Sequence, residues 1–291
     1  MKTLVIQLAR LGDILQTLPA LSAYCRANKK ESVHLLVRKK FAEIAHILPV
    51  CNKVIEMDTK VLLEPTIMTG DAGVEDSLQA MQQWVDQLVS EGYTKIINLS
   101  FSPFSSYLTS LLTTEGVEVV GYTRHTDGFL AIPDDASAYF YGQVGVNRSN
   151  RFHLIDLFSS ILGVEILESD WNIKKITNKD KSQGYIAFHV GASNPKKALS
   201  ASALTKLLKV MVGSLNEDIH LLGAKEDIAL AASIEQQVCN KKIKNLVGKT
   251  TLTDLIDVVA GANLFIGADS GPMQICNLTD TMCINFSNEF V

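Results

Sequence analysis

Short apolar runs alternate with amphipathic helical stretches along almost the whole chain, and few folds accept that alternation: it marks βα units feeding a parallel sheet. In the first half, strands are predicted at Leu4–Leu8, Val33–Val37, Val54–Met57, Lys95–Leu99 and Val117–Gly121, with helices in the gaps. Val74–Ser90 shows the helical spacing best, with Leu78, Met81, Val85, Leu88 and Val89 separated by polar residues. Over 165–183 the pattern gives way to a polar, lysine-rich stretch that reads as a linker. The alternation then restarts, with strands at Tyr185–Val190, Asp218–Leu222, Leu264–Gly267 and Met282–Phe286. Helices follow from about Ser200, over Lys225–Val238 and over Leu252–Ala260. The expected fold is α/β, two doubly wound domains in tandem at 1–164 and 184–291; no repeat period points to a solenoid.

Composition narrows the classes of function. A hydrophobic share of 47% and a charged share of 20% belong to a folded globular chain. With 27 Lys and Arg against 31 Asp and Glu, the net charge of −4 argues against a general nucleic-acid binder. The 5 cysteines form no C-x-x-C pair, which fits a reducing compartment. The N-terminal strand is broken by Gln7, Arg10 and Asp13, unlike a signal-peptide core, and a cytoplasmic address is expected.

Three loops carry candidate chemistry, each where a strand runs into a helix. In MKTLVIQLARLGDILQTLPA, Arg10 and Gly12 read as the turn, and Pro19 as an early position of the helix. Asp13 in that loop reads either as the helix N-cap or as a general base at the ligand edge of the sheet. In FHVGASNPKK, Gly191, Ala192, Ser193 and Asn194 can form an anion nest with Lys196 or Lys197 as countercharge, or simply a turn with solvated lysines. In GADSGPMQICNL, Asp269, Ser270, Gly271 and Pro272 open a helix, with Ser270 or Asp269 as cap and backbone N–H groups free for an anion or sugar hydroxyl.

Glu226 stands where an acid can accept from a ribose, or where one merely favours a first helical turn. His34 and His189 lie within strands and read as core or edge residues, and no metal site is expected. Arg38, Lys39 and Lys40, with Arg124–His125 and Arg148–Arg151, read as solvated charge or as a positive field for an anionic acceptor.

RLGDILQTLPAL, GASNPKK and LVGKTTLTDLIDVVAGANLFIGADSGPMQ, in that order and spacing, resemble the glycosyltransferase family 9 heptosyltransferases over nearly the whole chain. The resemblance implies a GT-B fold, two Rossmann-like domains facing across a cleft. It implies inverting, metal-independent transfer of a heptose from ADP-heptose, a substrate and not a cofactor, to an anionic glycolipid of the lipopolysaccharide inner core. Asp13 would be the base, in an N-terminal acceptor domain where Arg10, Arg38, Lys39, Lys40 and Arg124 meet the acceptor. Ser193 and Lys197 would hold the donor diphosphate, Glu226 the ribose, and Asp269, Ser270, Gly271 and Gln274 the sugar and phosphates, in the C-terminal domain.

Nucleic acid is not an expected partner, whereas peripheral contact with the cytoplasmic face of the inner membrane is. Two departures stand out: Gln274 occupies a position where the family usually has histidine, and the C-terminal domain is short, ending at Val291. A nucleotide-sugar epimerase or hydrolase on the same scaffold, or a non-catalytic nucleotide-sugar-binding paralogue, are the alternatives.

Overall fold

The computed structural model describes residues 1–69, 73–145, 150–171, 184–192 and 197–286 and divides into two units, Met1–Ile173 and Lys174–Val291. In the first, β1 (Lys2–Gln7), β2 (Ser32–Arg38), β3 (Lys53–Met57), β4 (Lys95–Asn98) and β5 (Glu118–Gly121) form a parallel sheet in the order β3-β2-β1-β4-β5. The helices are α1 (Leu11–Ala27), α2 (Lys39–Ile47), α3 (Thr59–Thr69), α4 (Val74–Ser90) and α5 (Pro103–Leu112). A short hairpin, β6 (Thr123–Arg124) and β7 (Leu130–Ala131), precedes α6 (Asp135–Phe140) and α7 (Leu154–Leu162). The second unit repeats the plan with β8 (Tyr185–His189), β9 (Asp218–Leu222), β10 (Ile243–Asn245), β11 (Leu264–Ala268) and β12 (Met282–Phe286), ordered β10-β9-β8-β11-β12. Its helices are α8 (Ala201–Ser214), α9 (Ile228–Val238), α10 (Leu252–Gly261) and α11 (Gly271–Cys276).

Alternation along the central strands sorts side chains between the two faces. In β1, Leu4 and Ile6 enter a core with Leu36, Val85, Leu88, Ile96 and Leu108. The intervening Val5 and Gln7 are also buried, and Gln7 reaches Thr17 on α1. In β8, Ile186 and Phe188 pack with Leu204, Leu208, Ala231 and Ile234, so α8 and α9 cover that face. Helix starts follow local chemistry. Ser102 accepts the Ser105 N–H at 3.1 Å with Pro103 next in line, and Thr251 accepts the Asp254 N–H at 3.1 Å.

Several details depart from expectation. α1 begins at Leu11, so Asp13 is its third residue and not its cap, and Pro19 falls inside the helix. There its missing N–H costs one intrahelical bond, tolerated in a helix held by burial of Leu15, Leu18 and Leu21. In α4, Leu78 is 64% exposed and Val89 36% exposed; the inward face runs through Ser77, Val85 and Leu88 instead. Ser77 is drawn inward because its hydroxyl accepts the Thr66 N–H of α3 at 3.2 Å.

The beginning of the stretch read as linker is tied down: Asp170, buried, receives the Arg26 guanidinium of α1 at 2.9 Å and the Leu167 N–H at 2.8 Å. The hydrogen bonds from Arg26 hold the Asp170 carboxyl below the usual carboxylate range. Its contribution to stability is therefore full above the unfolded-state value, roughly pH 4, and lost as pH falls through the lower folded value. Asp170→Asn is expected to lower the melting temperature at neutral pH and to flatten its fall in acid, as scanning calorimetry at stepped pH will show.

Gly121 ends β5 at φ +93, and a Cβ there would overlap the carbonyl oxygen of Asn98. Gly121→Ala is expected to cost about 3 kcal/mol or more, strain and overlap together, read as a lowered urea midpoint.

Candidate functional site

In a doubly wound sheet, ligands bind beyond the carboxyl ends of the strands where chain order reverses. In the first unit that point lies between β1 and β4. The loop leaving β1 carries Arg10 and leads directly into Asp13. The Asp13 Oδ2 accepts the Arg10 N–H at 2.9 Å, the side-chain half of a capping box. The N-cap position itself belongs to Arg10, so the reading of Asp13 as the cap gives way to an acid in the first turn that accepts back from the cap residue.

Burial pushes the Asp13 carboxyl above its usual range, against the opposing pull of the Arg10 N–H and the Arg10 and Arg38 guanidinium charges. Arg38, at the end of β2, donates from Nη2 to the Ala9 carbonyl at 2.6 Å. Its Nε is buried without a partner among the described residues. Burial, followed by the nearby Arg10 charge, depresses its pKa. Two guanidiniums thus face one carboxylate, a local excess of positive charge suited to an anion.

The other proposed acceptor residues do not join this group. Lys39 pairs with Asp58 at 2.7 Å, and Lys40 lies over the Phe41 ring, 5.7 Å from its centroid. Arg124 is held in the β6–β7 hairpin, donating to Ser106 at 2.9 Å and to the Gly128 carbonyl at 3.1 Å while stacking on Tyr107. Arg148 lies outside the described residues.

In the second unit the equivalent reversal lies between β8 and β11. Lys197 Nζ and Asp269 Oδ2 form an ion pair at 2.6 Å, each about 30% exposed, and Gln274 Nε2 approaches Asp269 Oδ1 at 3.5 Å. Gln274 thus takes up an acid contact at the position where histidine was anticipated. Ser270 stands at the start of α11, but its hydroxyl donates to the Ala268 carbonyl at 3.1 Å and caps nothing; Gly271 and Pro272 begin the helix as expected. Ser193 and Lys196 lie outside the described residues.

Glu226 is exposed in a short 3-10 turn, and its neighbour Asp227 is the acid that meets the sheet edge. Asp227 Oδ2 accepts the Ala224 N–H at 2.9 Å, and its carboxylate fills the space that a Cβ on Gly191 would need. Asp227 thus lies against Gly191, the first residue of the expected anion nest, whose Ser193 and Asn194 lie outside the described residues. His189 is buried in β8, its Nδ1 without a partner among the described residues, and burial lowers its pKa despite Asp227.

Sequence reasoning missed the polar residues beneath the first loop. Gln7, Thr17, Asn98 and Ser100 are all buried and hydrogen-bonded to one another or to the loop backbone. The signal was a glutamine inside an otherwise apolar strand, read there only as an interruption. Among the described residues, no three His, Cys, Asp or Glu side chains are grouped to hold a metal, and no helix is long and apolar enough to cross a membrane.

Comparison with known proteins agrees with the fold. The family model for glycosyltransferase family 9 (heptosyltransferase) matches residues 83–285. Lipopolysaccharide heptosyltransferase 1 of Campylobacter coli is 22% identical, covering 94% of this chain and 80% of its own. The glycosyl transferase family 9 structure from Veillonella parvula aligns over 99% of this chain and 83% of its own, with a TM-score of 0.72 at 18% identity. The E. coli heptosyltransferase WaaC with ADP-2-deoxy-2-fluoro heptose aligns over 98% of this chain and 88% of its own, with a TM-score of 0.69 at 18% identity. These structures share the GT-B type of α/β fold.

Proposed function

This chain belongs to glycosyltransferase family 9, the heptosyltransferases, and from that premise we propose that it transfers a heptose from ADP-heptose to an inner-core lipopolysaccharide acceptor with inversion at the anomeric carbon. The observation that carries this reading is Asp13: a carboxylate at the switch point of the first sheet, flanked by two guanidiniums, with its pKa raised toward the range of a useful base. In the transfer, Asp13 takes the proton of the acceptor hydroxyl as that oxygen bonds to the anomeric carbon. The bond from that carbon to the ADP oxygen breaks, and ADP leaves with the electron pair.

Arg10 and Arg38 draw the anionic acceptor to the base. Lys197 turns from Asp269 to the leaving diphosphate, where its charge stabilises the negative charge that develops. No metal is assigned to this step. Glu226 accepts from the ribose, Ser193 and Gly271 donate to phosphate, and Ser270, Gln274 and the freed Asp269 meet the sugar. The acceptor is a glycolipid, so the enzyme works peripherally on the cytoplasmic face of the inner membrane.

A thermal-shift series with ADP, UDP, GDP and their sugars tests the donor assignment. ADP and ADP-heptose are expected to raise the melting temperature well above the rise given by the uridine and guanosine ligands. A larger response to UDP-sugars would overturn the assignment, and sugar products formed without any acceptor would favour epimerase or hydrolase chemistry.

A further inference from the structure

Beneath the loop that carries Arg10 lies a chain of buried hydrogen bonds in which each donor has an identified acceptor. Thr17 Oγ1 donates to the Asp13 main-chain carbonyl at 2.8 Å, and itself accepts from Gln7 Nε2 at 2.9 Å. Gln7 Oε1 accepts the Ala9 N–H at 3.3 Å and the Ser100 hydroxyl at 3.2 Å. Ser100 Oγ in turn accepts the Leu8 N–H at 2.7 Å, and the Ser100 N–H donates to Asn98 Oδ1 at 2.9 Å. Asn98 Nδ2 closes the chain on the Tyr122 carbonyl at 2.8 Å. Both ends of the Gln7 amide are committed, which fixes its orientation: a flip would set its NH2 against the Ala9 N–H.

We infer that Gln7, Thr17 and Ser100 are positioning residues for the base, holding the β1–α1 loop in register with β4 so that the Asp13 carboxylate stands at the reacting edge. The inference rests on the reading of Asp13 as base. Leu8 and Ala9 present their N–H groups to this network from within, while Arg38 holds the Ala9 carbonyl from the other side. The loop is therefore clamped at consecutive peptides. The first turn of α1 is anchored at Asp13 itself, one turn before Thr17. The Thr17 bond is the i−4 contact that helical threonines commonly make, and here the carbonyl it reaches is that of Asp13, so the Gln7–Ser100 cluster is tied to the residue that carries the carboxylate. Displacement of a reacting group by about 1 Å is enough to cost on the order of a hundredfold in rate.

The test uses the full chain, ADP-heptose and a purified inner-core acceptor that lacks heptose. Thr17→Val keeps the volume and removes the hydroxyl, stranding Gln7 Nε2. It is expected to lower kcat at least about tenfold, to leave the KM for ADP-heptose within about twofold, and to move the acid limb of the kcat–pH profile. Thr17→Ser, which restores the hydroxyl, is expected to recover both the rate and the profile. Ser100→Ala gives the same reading with minimal loss of volume should Thr17→Val fold poorly. A lowered melting temperature with kcat and pH profile unchanged would overturn the inference. Asp13→Asn, run alongside, separates the two claims: a fully active Asp13→Asn overturns both, whereas an inactive Asp13→Asn with Thr17→Val at the wild-type rate overturns the positioning role alone.

Discussion

Asp13→Asn is expected to lower kcat for heptosyl transfer by about 10²–10⁴-fold, the range that a positioned general base supplies, while ADP-heptose binding stays near the wild-type level. Asparagine still accepts the Arg10 N–H with its amide oxygen, so the capping contact survives and proton uptake does not. The same substitution carries a sign on stability. The folded-state pKa of Asp13 is raised, so its stabilising contribution is complete below the unfolded value and is lost as pH rises through the folded value. At neutral pH the ionised carboxylate thus burdens the fold, and Asp13→Asn is expected to hold or raise the melting temperature while activity collapses. In the wild type, kcat is expected to fall on the acid side with a midpoint above the ordinary carboxylate range. Paired activity and calorimetry on one preparation check both; a variant that lost activity by unfolding would lower both together.

The second large effect belongs to the donor side. Lys197→Ala is expected to weaken ADP binding roughly 10–100-fold, the worth of one hydrogen bond to a charged group, as titration calorimetry will read. Part of that loss comes from Asp269, which would then face the diphosphate with no lysine to neutralise it. Lys197→Ala/Asp269→Asn is accordingly expected to bind ADP more tightly than Lys197→Ala alone, a coupling that independent surface charges would not give. Raising ionic strength should shrink the difference, because both groups are partly exposed.

The fold was legible because each central strand is a short apolar run with few ambiguities of period. Asp218–Leu222, Met282–Phe286 and the helix Val74–Ser90 match the structure residue for residue. Strand β10 and the β6–β7 hairpin escaped because runs of three and two residues carry no period to read. Asp13 stood out as a lone acid just after the first strand, though it lies in the first turn of α1 and not in the loop before it, and Arg10 and Arg38 fell beside it as the parallel order of β1 and β2 requires. Lys39 and Lys40 did not, since adjacency in sequence at a helix start turns neighbouring side chains to different sides.

Asp227 was masked by Glu226, one residue away, because only the 3-10 turn decides which acid faces the sheet. The Gln7–Thr17–Ser100 network joins residues ten and some ninety positions apart. Such contacts are a property of the topology and leave no local pattern.

The central claim is acceptor-dependent heptosyl transfer, and one measurement reaches it: mass spectrometry of acceptor and nucleotide after incubating the purified chain with ADP-heptose and a heptose-deficient inner-core acceptor. The acceptor is expected to gain the mass of a single heptose, with ADP released in equal amount, and neither product is expected when acceptor is withheld. An acceptor of unchanged mass, or ADP released at the same rate in its absence, would contradict the account.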